Sequence, residues 1–177
     1  MEIILEFDDF CEGSLLNKSC DRLDLLLDLK KSIPELKITL FTVLGRCSMN
    51  WIREMKSIPW IDMCPHGWLH FGEEACVTKK EATDYLDRIE PFELTKVFKA
   101  PGWRISDQFC EALRERGYWL ADLPDKKRPA GLKTYIAEQE GRIKGHILEC
   151  LGDKGLEKRF EFYAGLKGNF KFIKDIL

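Results

Sequence analysis

Five side chains stand out for the chemistry they could share: the adjacent carboxylates Asp8 and Asp9, and the three histidines of the chain, His66, His70 and His146. Two neighbouring carboxylates repel each other, and gathering them in a cleft is costly unless a cation or a proton lies between them. On a surface turn they would need neither. His66 and His70 bracket the sequence HGWLH, with imidazoles at i and i+4. One helical turn or a tight loop would bring both rings to one side, which suits two-point capture of a divalent metal. The same spacing also fits two unrelated histidines, one ending a strand and one in a loop. Joined to one aspartate, the two imidazoles make a facial ligand set that leaves open positions for water and substrate. The other carboxylate is then available as a base. His146 lies in GHIL. A lone histidine there is more often a packed core residue, although its ordinary pKa suits a general acid.

These groups need elements to carry them. Residues 3–10 read IILEFDDF, a short apolar run ending in acids. That pattern predicts a buried strand delivering side chains to one end of a sheet. A loop over 11–18 follows. A helix is expected over 19–32, with Leu23, Leu26, Leu27 and Lys30 on one side and Pro34 beyond its end. Residues 36–44 form the next strand, stopped by Gly45, and Ser48 caps a helix over 49–57. A brief strand over 60–64 breaks at Pro65-His66-Gly67. The sequence from Thr78 to Glu81 is a capping box that opens a helix running to about residue 90. A strand over 94–100 ends at Pro101-Gly102. Ser106 caps a helix through 116, with Gly117 as its C′ residue. Residues 118–123 form a strand, and 124–131 (PDKKRPAG) a charged loop. Residues 132–137 and 142–148 are extended, 153–166 helical, and 170–177 could add a last strand.

Strand and helix alternate throughout, which predicts an α/β protein with a parallel sheet and crossover helices. Two closures fit: an open doubly wound sheet, or a barrel. A full eight-fold barrel needs roughly 250 residues, so a barrel here would be short or incomplete. In both, ligands bind at the carboxyl edges of the strands. Asp8, Asp9, His66, Pro101 and Gly102 all fall just after a predicted strand.

The whole chain of 177 residues predicts a single domain spanning 1–177. It is 45% hydrophobic and 33% charged, with 28 basic and 30 acidic residues. A net charge of −2 offers no electrostatic argument for nucleic acid or an anionic membrane. The seven cysteines are odd in number and include no C-x-x-C pair, which predicts free thiols in a reduced, cytoplasmic protein. No export signal is expected at the N-terminus, where a strand begins within two residues of Met1. No run of about 18 apolar residues is present to span a membrane. Nothing in the residues fixes an oligomeric state.

Four motifs in order resemble those of the NodB-type polysaccharide deacetylases, metal-dependent enzymes that remove acetyl groups from sugars. The first is the strand ending Phe7-Asp8-Asp9. The second is His66 to His70. The third is the turn Lys99-Ala100-Pro101-Gly102-Trp103, and the last is the segment carrying His146. The resemblance implies an incomplete, distorted (β/α) barrel of about seven strands. It implies Asp8 as catalytic base, Asp9, His66 and His70 as metal ligands, and His146 as general acid. It implies a backbone N–H near Gly102 as oxyanion donor, and a divalent metal that activates water and polarises the acyl oxygen. Zinc (Zn2+) is expected first, with cobalt, nickel, manganese or iron also suited to two histidines and a carboxylate. Trp68 and Trp103 could line the cleft, where sugars stack on aromatic faces, or serve ordinary packing.

The chain departs from the family pattern at three points. Glu6 stands where the family has Thr or Ser. Lys99 stands where it has an arginine paired with the catalytic aspartate. A lysine supplies the charge without the planar fork. No clean copy of the acid-and-Trp motif that orients the general acid is present, and Asp122 is the candidate for that role. The implied substrate is an acetylated saccharide, a soluble intracellular one unless the protein is exported by another route. Two other readings stand beside it: a metal-dependent amidohydrolase acting on a non-polymer substrate, and a carbohydrate-binding homologue that has lost turnover.

Overall fold

The run around IILEFDDF becomes β1 (Glu2–Phe10), buried from Ile3 to its end. This computed structural model describes residues 1–15, 18–75, 77–136, 141–149 and 154–177. After β1 come a small antiparallel pair, β2 (Ser14–Leu15) and β3 (Lys18–Ser19), and then α1 (Leu23–Ser32). Next are β4 (Ile38–Thr42), α2 (Met49–Lys56), β5 (Ile61–Pro65) and α3 (Lys79–Ile89). They are followed by β6 (Val97–Lys99), α4 (Asp107–Glu115), β7 (Trp119–Asp122), β8 (Lys133–Ile136) and β9 (Arg142–His146). α5 (Phe160–Ala164) and β10 (Asn169–Phe170) complete the chain.

Local signals set the helix starts. Ser48 and Ser106 each accept a backbone N–H at the head of α2 and α4, and Thr78 and Glu81 exchange the reciprocal bonds of a capping box. Gly117 ends the α4 segment at φ +72°. The expected helix over 153–166 is shorter: a 3-10 turn (Glu157–Arg159) leads into α5, and 150–153 lie outside the described residues. The expected tail strand is only β10, followed by a 3-10 turn over Ile173–Asp175. Residue 137 of the predicted 132–137 strand also lies outside the described residues.

The large strands are parallel and form a five-stranded and a three-stranded sheet. β1 is central. It pairs with β4 on one side and β9 on the other, β4 pairs with β5, and β10 adds at Glu2 and Ile3. The second sheet runs β6-β7-β8. The Thr95 N–H donates to the Met63 carbonyl at 3.0 Å, joining β5 to the approach to β6.

The order is therefore β9-β1-β4-β5-β6-β7-β8. In a flat sheet, strands spaced about 4.8 Å apart would separate β8 from β9 by about 29 Å. Instead the Arg142 guanidinium on β9 lies 3.3 Å from the centre of the Tyr135 ring on β8. One interior cluster takes Ile4, Phe41, Cys64, Val97, Ala121 and Tyr135, a residue from each of β1, β4, β5, β6, β7 and β8. Only a curled sheet allows both. The fold is an α/β, incomplete (β/α) barrel, its ladder interrupted, among the described residues, between β5 and β6 and between β8 and β9.

The outward face of the strands packs under the helices. Leu5, Phe7, Leu40, Met63, Phe98 and Leu120 share a core with Leu26, Leu29, Ile52, Leu86, Phe109 and Leu113. Each such side chain contributes about 1.5–3 kcal/mol on burial. Cys11, Cys47, Cys64 and Cys110 are free thiols, while Cys76 and Cys150 lie outside the described residues. No helix among the described residues is long and apolar enough to cross a membrane.

Candidate metal centre

Side chains alternate along a strand, so Ile4, Glu6 and Asp8 face the barrel interior and Asp9 would face away. The structure breaks that alternation. The register of β1 against β4 shifts between Phe7 and Phe10, and Asp9 has a left-handed backbone, φ +68°. This bulge turns two consecutive carboxylates into one cavity. A left-handed non-glycine residue costs about 1–2 kcal/mol, and aspartate tolerates the conformation better than most.

His66 follows directly on β5, where its N–H donates to the Thr42 carbonyl at 2.8 Å. The loop after it is tightly built. Gly67 has φ +78°, and a Cβ there would lie 2.7 Å from Glu74 Oε1 and 2.8 Å from Pro101 Cγ. His70 is also left-handed, φ +68°. Glu73 holds the backbone on either side of it, accepting the Leu69 N–H at 2.6 Å and the Phe71 N–H at 2.8 Å. The i, i+4 histidines thus meet across a loop rather than along a helical turn.

One ligand atom each from Asp9, His66 and His70 lies within 4.8 Å of the others. His70 Nε2 is 2.9 Å from Asp9 Oδ1, and His66 Nε2 is 3.6 Å from the same oxygen. Metal–ligand bonds of about 2.0–2.2 Å separate tetrahedral donors by about 3.3–3.6 Å, and octahedral ones by somewhat less. The donor set and its spacing therefore fit a divalent cation. His66 Nδ1 faces the Lys99 carbonyl at 2.9 Å. A proton on Nδ1 donated to that oxygen leaves the Nε2 lone pair on the Asp9 side, the arrangement a ligating histidine would use.

Electrostatics point the same way. Burial pushes the Asp9 carboxyl up, yet hydrogen bonds and charge from His66 and His70 hold it well below the usual carboxylate range. Burial pushes His66 down, but Asp8 and Asp9 outweigh that and raise it. Such a pocket attracts positive charge.

Asp8 occupies the opposite wall. It pairs in register with His146 of β9. Its Oδ2 lies 3.8 Å from His146 Nε2, and its Oδ1 accepts from Lys99 Nζ at 2.7 Å. Burial opposes the Asp8 charge, and Lys99 first, then His66 and His146, lower its pKa nonetheless. Lys99 is buried too, and Asp8 and Glu6 keep it protonated against that burial. Its Nζ also lies 2.7 Å from Glu6 Oε1.

Asp8, Asp9, His66, His70, Lys99 and His146 line one cavity of about 310 Å³. Ala100, Gly102, Trp103 and Lys144 complete its rim. Gly102 and Trp103 are left-handed, at φ +59° and +60°. Pro101 does not line the cavity. Its ring packs beneath Gly67 and supports the histidine loop. Trp68 also lies outside it, in an adjoining groove with Leu69, Phe71 and Tyr85, its ring 6.2 Å from that of Phe92. Asp122, expected to orient His146, is placed otherwise: Arg128 grips both its oxygens, one at 3.0 Å, and it does not line the cavity. The partner comes from the charged loop after β7, so the pair closes that loop.

Three residues escaped the sequence reading. Arg142 and Lys144 face inward with His146, a period-two pattern in RIKGH that could have been read. Glu73 left no comparable signal, because an acid that accepts nearby amides looks like any surface glutamate.

No family model matches the chain, and no curated protein matches it. Solved structures do. The Xyl-CE4 domain of a multidomain xylanase from the hindgut metagenome of Trinervitermes trinervoides matches with a TM-score of 0.64 and 12% identity, over 99% of this chain and 88% of that one. The Bc1960 peptidoglycan N-acetylglucosamine deacetylase, in complex with 4-naphthalen-1-yl-N-oxidanyl-benzamide, matches at 0.61 and 17%, over 99% and 87%. A family 4 acetyl xylan esterase from Clostridium thermocellum, in complex with a cobalt ion, matches at 0.60 and 14%, over 99% and 90%. The chain spans a smaller share, 60%, of the family 4 carbohydrate esterase from Streptomyces lividans, at a TM-score of 0.51, 16% identity and 67% of this chain. The protein has the fold of the family 4 carbohydrate esterases, the NodB-type polysaccharide deacetylases whose four motifs its own sequence resembles.

Proposed function

We propose that this protein is a metal-dependent hydrolase that removes acetyl groups from an acetylated saccharide, by N- or O-deacetylation. The observation that carries the reading is the convergence of Asp9, His66 and His70 on one point, with Asp8 and His146 beside it. The cobalt ion and the acetylated polymers named for the solved relatives support it.

Asp9, His66 and His70 would hold a divalent cation, zinc first among the candidates. That cation supplies a Lewis acid for the acetyl carbonyl and lowers the pKa of water. Asp8 takes the proton of the attacking water on Oδ2, because Lys99 already occupies Oδ1. His146 Nε2, 3.8 Å from that oxygen, delivers a proton to the departing amine or alcohol. A backbone N–H near Gly102 would help hold the oxyanion, and Trp103, on the cavity rim, would wall the acetyl pocket. A cavity of about 310 Å³ fits one acetylated sugar unit. The odd count of seven cysteines without a C-x-x-C pair supports a reduced, cytosolic place of action.

Metal analysis followed by turnover of an N-acetylated chitooligosaccharide and an acetylated xylooligosaccharide tests the proposal. Release of acetate that disappears on chelation and returns with added metal is the expected result. Asp8→Asn is expected to abolish turnover with metal still bound. Turnover confined to non-saccharide amides, or metal binding with no turnover of any acyl substrate, would overturn it.

A further inference from the structure

We propose that Glu6 is a positioning residue: its carboxylate, shared between Lys99 and Arg142, fixes the Lys99 ammonium on Asp8 and so aims the Asp8 carboxylate at the attacking water. This inference rests on the function proposed above for Asp8.

A lysine is a poor orienting group by itself. Its ammonium is a point charge on a flexible stem, without the fork that gives a guanidinium a direction. Here the ammonium is enclosed. Its Nζ lies 2.7 Å from Asp8 Oδ1 and 2.7 Å from Glu6 Oε1, with the Phe41 ring centre at 4.7 Å and that of Trp103 at 5.0 Å. Two carboxylates and two ring faces leave it one place to sit.

Glu6 is itself held. Arg142 Nε lies 3.0 Å from Oε2, and Nη2 lies 2.9 Å from Oε2 and 3.3 Å from Oε1. The guanidinium in turn stacks on Tyr135. The chain of contacts therefore runs Tyr135, Arg142, Glu6, Lys99, Asp8, from β8 and β9 across β1 to β6 and back. Glu6, Lys99 and Arg142 have side chains no more than 1% exposed. Their charges and that of Asp8 cancel: two carboxylates face two cations. Without Glu6, the Arg142 guanidinium would lose the carboxylate it holds and Lys99 one of its two, and a charge left unmatched in such a place disrupts its surroundings.

Glu6 acts through Lys99 rather than on substrate, because it does not line the cavity. It stands two residues before Asp8 on the same inward face of β1. The two departures from the family pattern, at positions 6 and 99, are thus in contact with one another. Each explains the other: a lysine at 99 needs a second carboxylate to fix it, and a buried glutamate at 6 needs a cation.

The test uses the metal-loaded wild-type protein, Glu6→Gln, Glu6→Asp, and Glu6→Gln combined with Lys99→Arg. The readouts are kcat, KM, bound metal, thermal unfolding, and the 15N–1H signal of the Lys99 ammonium. Glu6→Gln should lower kcat about tenfold or more, equivalent to ~1.4 kcal/mol, with KM within about twofold. Its metal content should stay at the wild-type level, and the ammonium signal, sheltered in the wild type, should be lost to exchange. Adding Lys99→Arg should recover most of the lost kcat, because a guanidinium fork needs no second carboxylate to set its direction. A glutamate that served stability alone would give no such recovery. Glu6→Asp keeps the charge and withdraws the carboxylate by one methylene, and it carries the same expectations for kcat and the ammonium signal should Glu6→Gln fail to fold. A folded position-6 variant with wild-type kcat, or a double variant no faster than Glu6→Gln, overturns the inference. An inactive metal-loaded wild type instead overturns the deacetylase reading, and the ammonium signal still reports whether Glu6 fixes Lys99.

Discussion

Two buried aspartates in the same barrel are handled in opposite ways. Asp62 on β5 accepts from Lys174 Nζ at 2.6 Å and from Thr95 Oγ1 at 2.8 Å. Its charge is met by a permanent cation whose side chain is 48% exposed. Asp9 on β1 faces two imidazoles, which carry charge only when protonated. The backbone differs as well. Asp9, His70 and Trp103 adopt left-handed conformations around the Asp9 cavity, whereas Asp62 sits in a regular ladder opposite Thr39. Strain concentrated at one carboxylate and absent at the other marks the place where the fold gives up stability to hold a particular arrangement. One end of the barrel is closed by its own ion pair, and the other gathers a donor set that fits a cation from outside.

The comparison breaks most sharply at the ligands. His70→Ala should remove bound metal and turnover together, read by metal analysis and acetate release, while unchanged metal content would exclude it from the ligand set. Next, His146→Ala should lower kcat by roughly a hundredfold with metal retained, the usual scale of general acid catalysis. A far smaller change would place the ring in a packing role. Asp62→Asn is the contrast. It should cost about 0.5–1.5 kcal/mol in a denaturant titration and leave kcat and metal affinity alone, since Lys174 can return to solvent. Loss of metal on that substitution would erase the distinction between the two ends.

Acidity sharpens the contrast with the smallest effect. Asp8 and Asp9 have pKa values below those of the unfolded chain. Their contribution to stability is present above about pH 4 and is lost as pH falls through the folded values. His66 has the opposite sign: its pKa is raised in the folded metal-free chain. Its contribution is full below about pH 6.5 and is lost as pH rises through the folded value. A metal needs the neutral ring, so metal affinity should fall as pH drops into that range. Thermal melts of metal-free protein from about pH 2 to 8 would check both signs, metal titrations from about pH 5 to 8 would check the affinity, and an affinity independent of pH would remove His66 as a ligand.

The resemblance to the deacetylases could be drawn from the sequence because its motifs sit at strand ends and their order survives translation into space. Helix starts at Ser48, Thr78 and Ser106 were equally readable, since a cap involves neighbours three residues away. Asp122 misled for the opposite reason. Position after a strand suggested the cavity, and a partner in the following loop, Arg128, took the carboxylate instead. Trp68 fell outside the cavity because the turn at Gly67 directs it into the adjoining groove. Glu6 and Lys99 looked like two independent defects in a motif, and only space shows them to be one contact.

The residues alone determined which groups could do chemistry and that the strands would run parallel, because residue type and hydrophobic period are local properties of the chain. The tertiary structure decided which of two closures the sheet takes, that both Asp8 and Asp9 enter one cavity, and what stands behind Asp8. Those outcomes depend on the curl that brings β9 against β8, on a bulge in β1, and on ion pairs between residues more than ninety positions apart. No pattern of types and spacings encodes a pairing over that separation, because the free energy that selects it is released only when the whole interior closes.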